Sequence, residues 1–238
     1  MNGLIGLFGI VALLIAAGGL IGLADRKRFA PVWLLVAVLL VVLNDALLTR
    51  GYGTIPDFLP GSDWNWQGKV AALAATLAIA ALPLFGWRRI GLTLIQKEGS
   101  IGPSIPVALL YCAFFLTVAM AYPNGEASRE EIVFQLTMPG LEEEIFYRGI
   151  LLLALDRAFT GRVRFLGVDW GWGAVLSCLL FGLAHAFGYS DGAFSFDSMA
   201  MALTAFPSLI AVWLRYRTGS LLLPVFLHNF GNSILLLI

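Results

Sequence analysis

The side chains able to do chemistry fall in three apolar stretches of an otherwise oily chain. Glu142, Glu143, Glu144 and Arg148 lie within residues 135–155, His185 near the end of 172–187, and His228, Asn229 and Asn232 within 221–238. His185 and His228 are the only two histidines of the sequence. A carboxylate and an imidazole in an apolar pocket form a general acid/base system, because desolvation makes the carboxylate a stronger base toward water. A second imidazole and a carboxamide can donate to a developing oxyanion. Together these groups suit addition of water to a carbonyl, hence amide or ester hydrolysis. The same atoms also suit zinc, with Glu143, His185 and His228 as three ligands and a fourth position for water. A third reading is non-catalytic: an immunity or transport protein in which the same groups relay protons or hold a ligand.

Spacing refines these roles. Glu144 and Arg148 are four apart with the glutamate first, so they share a helix face in the favourable order. Glu143 points about 100° round from Glu144. One glutamate can therefore pair with Arg148 while the other faces elsewhere. Phe181 lies one turn below His185, and His228 and Asn232 also share a face. Bland readings stand beside these. Arg148 can neutralise a glutamate for insertion, Glu142 reads as a packing or interfacial group, and Asn229 and Asn232 can join helices by hydrogen bonds. Asn44 and Asp45 read as a solvated helix end, and Gly182, Gly188 and Gly231 as sites of close helix approach. The chain lacks H-E-x-x-H and G-x-S-x-G, so the zinc-protease helix and the serine elbow are missing.

The elements that must position these groups are membrane helices. Of 238 residues, 59% are hydrophobic and 13% charged, against roughly 45–50% and 25% in soluble domains. Mean hydropathy is +0.86. Fifteen basic and fifteen acidic residues cancel and form no basic face, which excludes nucleic acid as a partner. Stretches long enough to span a bilayer predict an all-α polytopic membrane protein of about eight transmembrane helices: 3–24, 31–48, 70–85, 105–121, 135–155, 172–187, 194–214 and 221–238. The chain reads as a single integral-membrane domain, 1–238, with four N-terminal helices in 1–122 and the three polar stretches in 123–238. Eleven of the fifteen basic residues fall in alternate loops at 26–28, 88–97, 157–164 and 215–217. The positive-inside rule then puts those loops in the cytoplasm and both termini outside. The other loops hold Arg50, Lys69 and Arg129. The first helix has its charge after the apolar stretch, unlike a signal peptide. Cys112 and Cys178 fall within spans and indicate no disulfide framework. At about 1.5 Å per residue, Glu143, His185 and His228 reach overlapping depths, roughly 13, 20 and 10 Å from their helix starts. They could share one intramembrane polar cavity.

Three motifs occur in order: Glu143-Glu144-Ile145-Phe146-Tyr147-Arg148 as E-E-x-x-x-R, Phe181-Gly182-Leu183-Ala184-His185 as F-x-x-x-H, and His228-Asn229-Phe230-Gly231-Asn232 as H-x-x-x-N. This triplet resembles the CPBP family of intramembrane proteases, also called the CAAX-protease and bacteriocin-processing, or Abi, family. The resemblance covers residues 135–238; the first four helices agree only in layout. It implies that Glu143 and His185 activate water and that His228 and Asn232 form the oxyanion hole. Glu144, Arg148 and Phe181 would support and orient the site. It implies a glutamate mechanism with no cofactor, with zinc the alternative. The expected partner is a membrane-anchored protein or peptide in a lipid bilayer. The family includes prenyl-protein endopeptidases, peptide processors and immunity factors. Short loops point to a prokaryotic inner (plasma) membrane.

Overall fold

The computed structural model describes residues 2–54, 56, 59–123 and 125–238. Its helices are α1 (Asn2–Ala24), α2 (Pro31–Thr49), α3 (Trp66–Ala81), α4 (Trp87–Ile90), α5 (Ile101–Ala121), α6 (Arg129–Glu144), α7 (Leu152–Ala158), α8 (Trp172–Ala186), α9 (Ser198–Thr218) and α10 (Leu222–Leu237). A π-helical turn, Ile145–Leu151, joins α6 to α7. All eight stretches expected to be helical are largely so. Four helices have the length and apolarity to cross a membrane: Gly3–Ala24, Pro31–Thr49, Ile101–Ala121 and Ser198–Thr218. Helices α3, α8 and α10 are apolar but shorter. The long helices carry large apolar side chains outward, among them Phe8, Leu20, Leu110 and Phe206. That outward apolarity suits a lipid solvent and would be costly in water. The protein is an integral membrane protein built mainly of helices.

The chain forms two compact units. The first comprises residues 1–45 and 151–213. In it, α8 packs against α7 and α1. Phe29 stacks on Phe159 at 5.3 Å, and the Ala30 N–H donates to the Ala158 carbonyl at 2.8 Å. Two antiparallel hairpins belong here: β1 (Val163–Phe165) with β2 (Val168–Trp170), and β3 (Phe187–Ser190) with β4 (Ala193–Phe196). Both turn residues have positive φ in each, Leu166 at 49° with Gly167 at 77°, and Asp191 at 52° with Gly192 at 82°. That is the geometry of a two-residue I′ turn, and Asp-Gly is its strongest short-range signal. The helical reading of 194–214 is therefore shifted: Phe194 lies in β4, and α9 starts at Ser198.

The second unit comprises residues 46–150 and 214–238. Here α10 packs against α6 and α5, and α6 also against α3. The start of α6 is well specified. The Ser128 side chain caps it by accepting from the Glu131 N–H at 3.1 Å, and Glu130 and Glu131 occupy the first turn, where the helix dipole favours negative charge. Pro139 interrupts the α6 hydrogen-bond ladder. Asn229 of α10 fills in there. Its Oδ1 accepts from the Gly140 N–H at 2.7 Å, and its Nδ2 donates to the Thr137 carbonyl at 3.3 Å. A Cβ on Gly140 would stand 2.4 Å from Asn229 Oδ1 and 2.7 Å from the Val225 carbonyl oxygen. Only glycine permits this approach of α6 to α10. Asn44, expected at a solvated end of α2, is buried.

Candidate active site

The site in the second unit grows from the junction of α6 with the π turn. Helix α6 starts at Arg129, ahead of the expected 135, so Glu143 lies about 21 Å along it rather than roughly 13 Å. Glu142, Glu143 and Glu144 end this helix, and Arg148 lies within the π turn. Such turns are rare and recur at functional positions. Glu142, Glu144 and Arg148 are fully buried.

Glu144 and Arg148 form the ion pair their spacing predicts, Nη1 to Oε1 at 3.1 Å. The same Oε1 lies 2.7 Å from His228 Nδ1. A carboxylate held by a guanidinium can only accept, so Nδ1 carries the proton and donates it. This fixes the tautomer of His228 and turns Nε2 toward Glu143, whose Oε2 is 3.6 Å away. The other oxygen of Glu143, Oε1, meets the Lys69 ammonium at 2.6 Å, and Lys69 Nζ also reaches Glu142 Oε2 at 2.7 Å. One turn along α10 from His228, Asn232 Nδ2 donates to Gln135 Oε1 at 2.9 Å. The second N–H of that amide keeps its donor capacity. Glu143, Glu144, Arg148 and His228 are thus gathered as one acid–base cluster, with Asn232 beside it.

Phe181 and His185 belong to the first unit. Their rings lie 4.7 Å apart, and His185 Nδ1 is 2.9 Å from the Phe181 carbonyl oxygen. A carbonyl cannot donate, so Nδ1 carries a proton and donates it. An imidazole held in this way is suited to proton transfer. His185 sits in the last turn of α8 and lines a cavity of about 520 Å³ with Phe187, Gly188, Ser195, Phe196 and Asp197.

Two features of the cluster differ from the sequence expectation. Glu142 is not merely interfacial, since it binds Lys69. Lys69 is not a loop cation: it lies in the first turn of α3 with its side chain only 13% exposed. A signal for it existed in the sequence. Three consecutive glutamates within an apolar stretch, with Arg148 their only nearby cation, require a second positive charge from another helix. Of the three residues read as zinc ligands, Glu143 has one oxygen on the Lys69 ammonium at 2.6 Å and turns the other toward His228 Nε2. Among the described residues, no three His, Cys, Asp or Glu side chains gather as metal ligands do.

These observations define a class: a helical integral membrane protein with a buried carboxylate–imidazole cluster at a distorted helix. Residues 129–234 match the family model of the Type II CAAX prenyl endopeptidase Rce1-like proteins. The matched segment carries all three motifs, and it bears out the resemblance to the CAAX-protease family. No curated protein and no solved structure matches the chain.

Proposed function

We propose that this protein is an intramembrane endopeptidase of the CAAX type, hydrolysing a peptide bond near the end of a membrane-anchored protein or peptide. The observation that carries the reading is Glu143, with one oxygen on Lys69 and the other facing a His228 whose tautomer Glu144 fixes. In the proposed reaction, the Glu143 carboxylate takes a proton from water as the water oxygen attacks the carbonyl carbon. His185 assists as a second base, a role that rests on its motif. The tetrahedral oxyanion accepts from Asn232 Nδ2–H, and from His228 Nε2–H once that ring holds a proton on both nitrogens. Collapse breaks the C–N bond, and the proton held by Glu143 passes to the leaving nitrogen, so acid and base roles alternate on one carboxyl group. The reaction needs no metal. Eight membrane crossings, both termini outside and a prokaryotic inner membrane belong to the same proposal.

The test is cleavage of an S-farnesylated peptide ending in Cys-Val-Ile-Met, and of a membrane-anchored reporter with the same tail, read by intact mass. Glu143→Gln removes the base and is expected to slow cleavage by about 10²–10⁴-fold. His185→Ala and His228→Ala are expected to lose similar activity. Full activity in all three variants overturns the reading.

A further inference from the structure

The matched family segment begins at residue 129, yet the group that touches Glu143 most closely comes from outside it. Lys69 is the only charged residue of α3. Its Nζ bridges Glu142 Oε2 and Glu143 Oε1 at 2.7 and 2.6 Å. Glu142 is fully buried and Glu143 only 14% exposed at the side chain. A lysine stem is flexible and its ammonium is strongly hydrated, so burying it in one geometry costs both entropy and solvation. Two carboxylates on the same ammonium offset that cost and fix its position.

The consequence reaches Glu143. With Oε1 held by Nζ, its carboxyl rotation is set and Oε2 is presented to His228 Nε2. The charged groups of the cluster are Glu142, Glu143, Glu144, Lys69 and Arg148, together with the titratable His228. Lys69 and Arg148 offset two of the three carboxylate charges. Without Lys69, Glu142 and Glu143 would be adjacent like charges with little water to screen them. Glu143 would then turn away or hold a proton, and a protonated carboxyl is no base.

We propose that Lys69 is a positioning residue for Glu143, with Glu142 as the anchor that holds the ammonium in place. Lys69 touches no reacting atom in this assignment; it acts through Glu143. The inference deepens the hydrolase reading and rests on it for its catalytic consequence. The contact itself can be tested without activity.

The experiment uses the full chain in detergent and compares wild type with Lys69→Met, Lys69→Arg, Lys69→Met/Glu142→Gln and Glu143→Gln. Dicyclohexylcarbodiimide adds across a protonated carboxyl in an apolar site: the carboxyl proton moves to nitrogen and the carboxyl carbon ends bonded to nitrogen as an N-acylurea. Peptide mass then reports which glutamate reacted. Labelling at Glu143 is expected to rise by about tenfold or more in Lys69→Met, from loss of the opposite charge, and to stay at the wild-type level in Lys69→Arg. The double variant removes one cation and one anion, so its charge balance is kept while the anchor is lost. Glu143 is expected to label there as well. Equal labelling in wild type and Lys69→Met overturns the proposal. Wild-type labelling in the double variant also overturns it, since net charge alone would then govern Glu143.

The same proteins are assayed on the farnesylated peptide. Lys69→Met is expected to lower kcat by about 100-fold, as a misplaced catalytic group does, with KM within about twofold. Lys69→Arg is expected to retain activity within about tenfold, since charge is kept but geometry changes. A kcat for Lys69→Met equal to wild type overturns the positioning role. If wild type and Glu143→Gln act alike on the peptide, the hydrolase reading fails, and the labelling still decides whether Lys69 holds Glu143.

Discussion

Arg148 is the more deeply buried of the two cations in the cluster. Its side chain is 2% exposed and that of Glu144 1%. Removing one partner of such a pair leaves an uncompensated buried charge, which costs about 3–5 kcal/mol. Arg148→Met is therefore expected to lower the melting temperature in detergent steeply. Arg148→Met combined with Glu144→Gln is expected to recover most of that loss, because no bare charge remains. The recovery should not extend to activity. His228 Nδ1 bonds the same Glu144 oxygen, and a carboxamide there no longer fixes the imidazole by charge. Melting followed by fluorescence, beside peptide cleavage, separates the two effects. A double variant no more stable than Arg148→Met would show that the arginine contributes through packing.

At the scale of elements, α6 is held by neighbours that lie outside the fixed positions of the motifs. Near its proline, Asn229 takes the place of a missing helix bond, and Gly140 permits the approach. Gly140→Ala forces α6 from α10 or bends the Asn229 rotamer, and overpacking of this kind costs about 1–3 kcal/mol. Lower thermal stability with a parallel loss of activity is the expected outcome, since Glu143 and His228 sit on the two helices being separated. The first turn of α6 is tied differently. Glu130 accepts from the Ser62 hydroxyl, from Trp66 Nε1 at 3.0 Å and from the Asp63 N–H at 3.3 Å. Trp64 and Trp66 close on Phe134 beside it. Chiefly the Ser62 hydrogen bond, which outweighs the opposing desolvation, holds the Glu130 carboxyl below its ordinary range. A depressed carboxyl stabilises the fold above its unfolded pKa, and the contribution is lost as pH falls through the folded value. Protection of residues 62–66 from hydrogen exchange, relative to the intrinsic rate, is thus expected to be constant at neutral pH and to fall below about pH 4. Glu130→Gln should show the lower protection at neutral pH and converge with wild type in acid.

For the whole molecule, the test concerns the direction of insertion. The charge asymmetry of the loops predicts cytoplasmic 26–28 and 157–164. Lys27→Cys and Arg164→Cys are expected to resist a membrane-impermeant maleimide in intact cells and to react after lysis. Arg50→Cys is expected to react in both. Cys178 is buried and Cys112 half-buried, so their background is low. The reverse labelling pattern would place both termini in the cytoplasm. Charge counts could be read this way because insertion responds to loop composition, which is a local property. The two hairpins were not foreseen, although Asp191-Gly192 announces one of them. Apolar composition favoured helix throughout, and the flanking aromatics Phe187, Tyr189, Phe194 and Phe196 suit a strand as well as a helix.

The sequence by itself determined the solvent, the helical class, the family resemblance and four members of the cluster. Each of these rests on composition or on spacing within one helix: Glu144 and Arg148 had to meet because four residues make about one turn. Tertiary structure alone decided what those residues touch across helices. It put His228 between Glu143 and Glu144, spent Asn229 on the broken ladder at Pro139, and brought Lys69 from α3 onto Glu142 and Glu143. Neither partner's local sequence encodes such a contact, because it depends on how far apart two helices stand and how each is rotated. Gly140 and the π turn after Glu144 set those quantities in the second unit. The demand for a second cation was legible in three adjacent glutamates, and its source was settled only when α3 packed against α6.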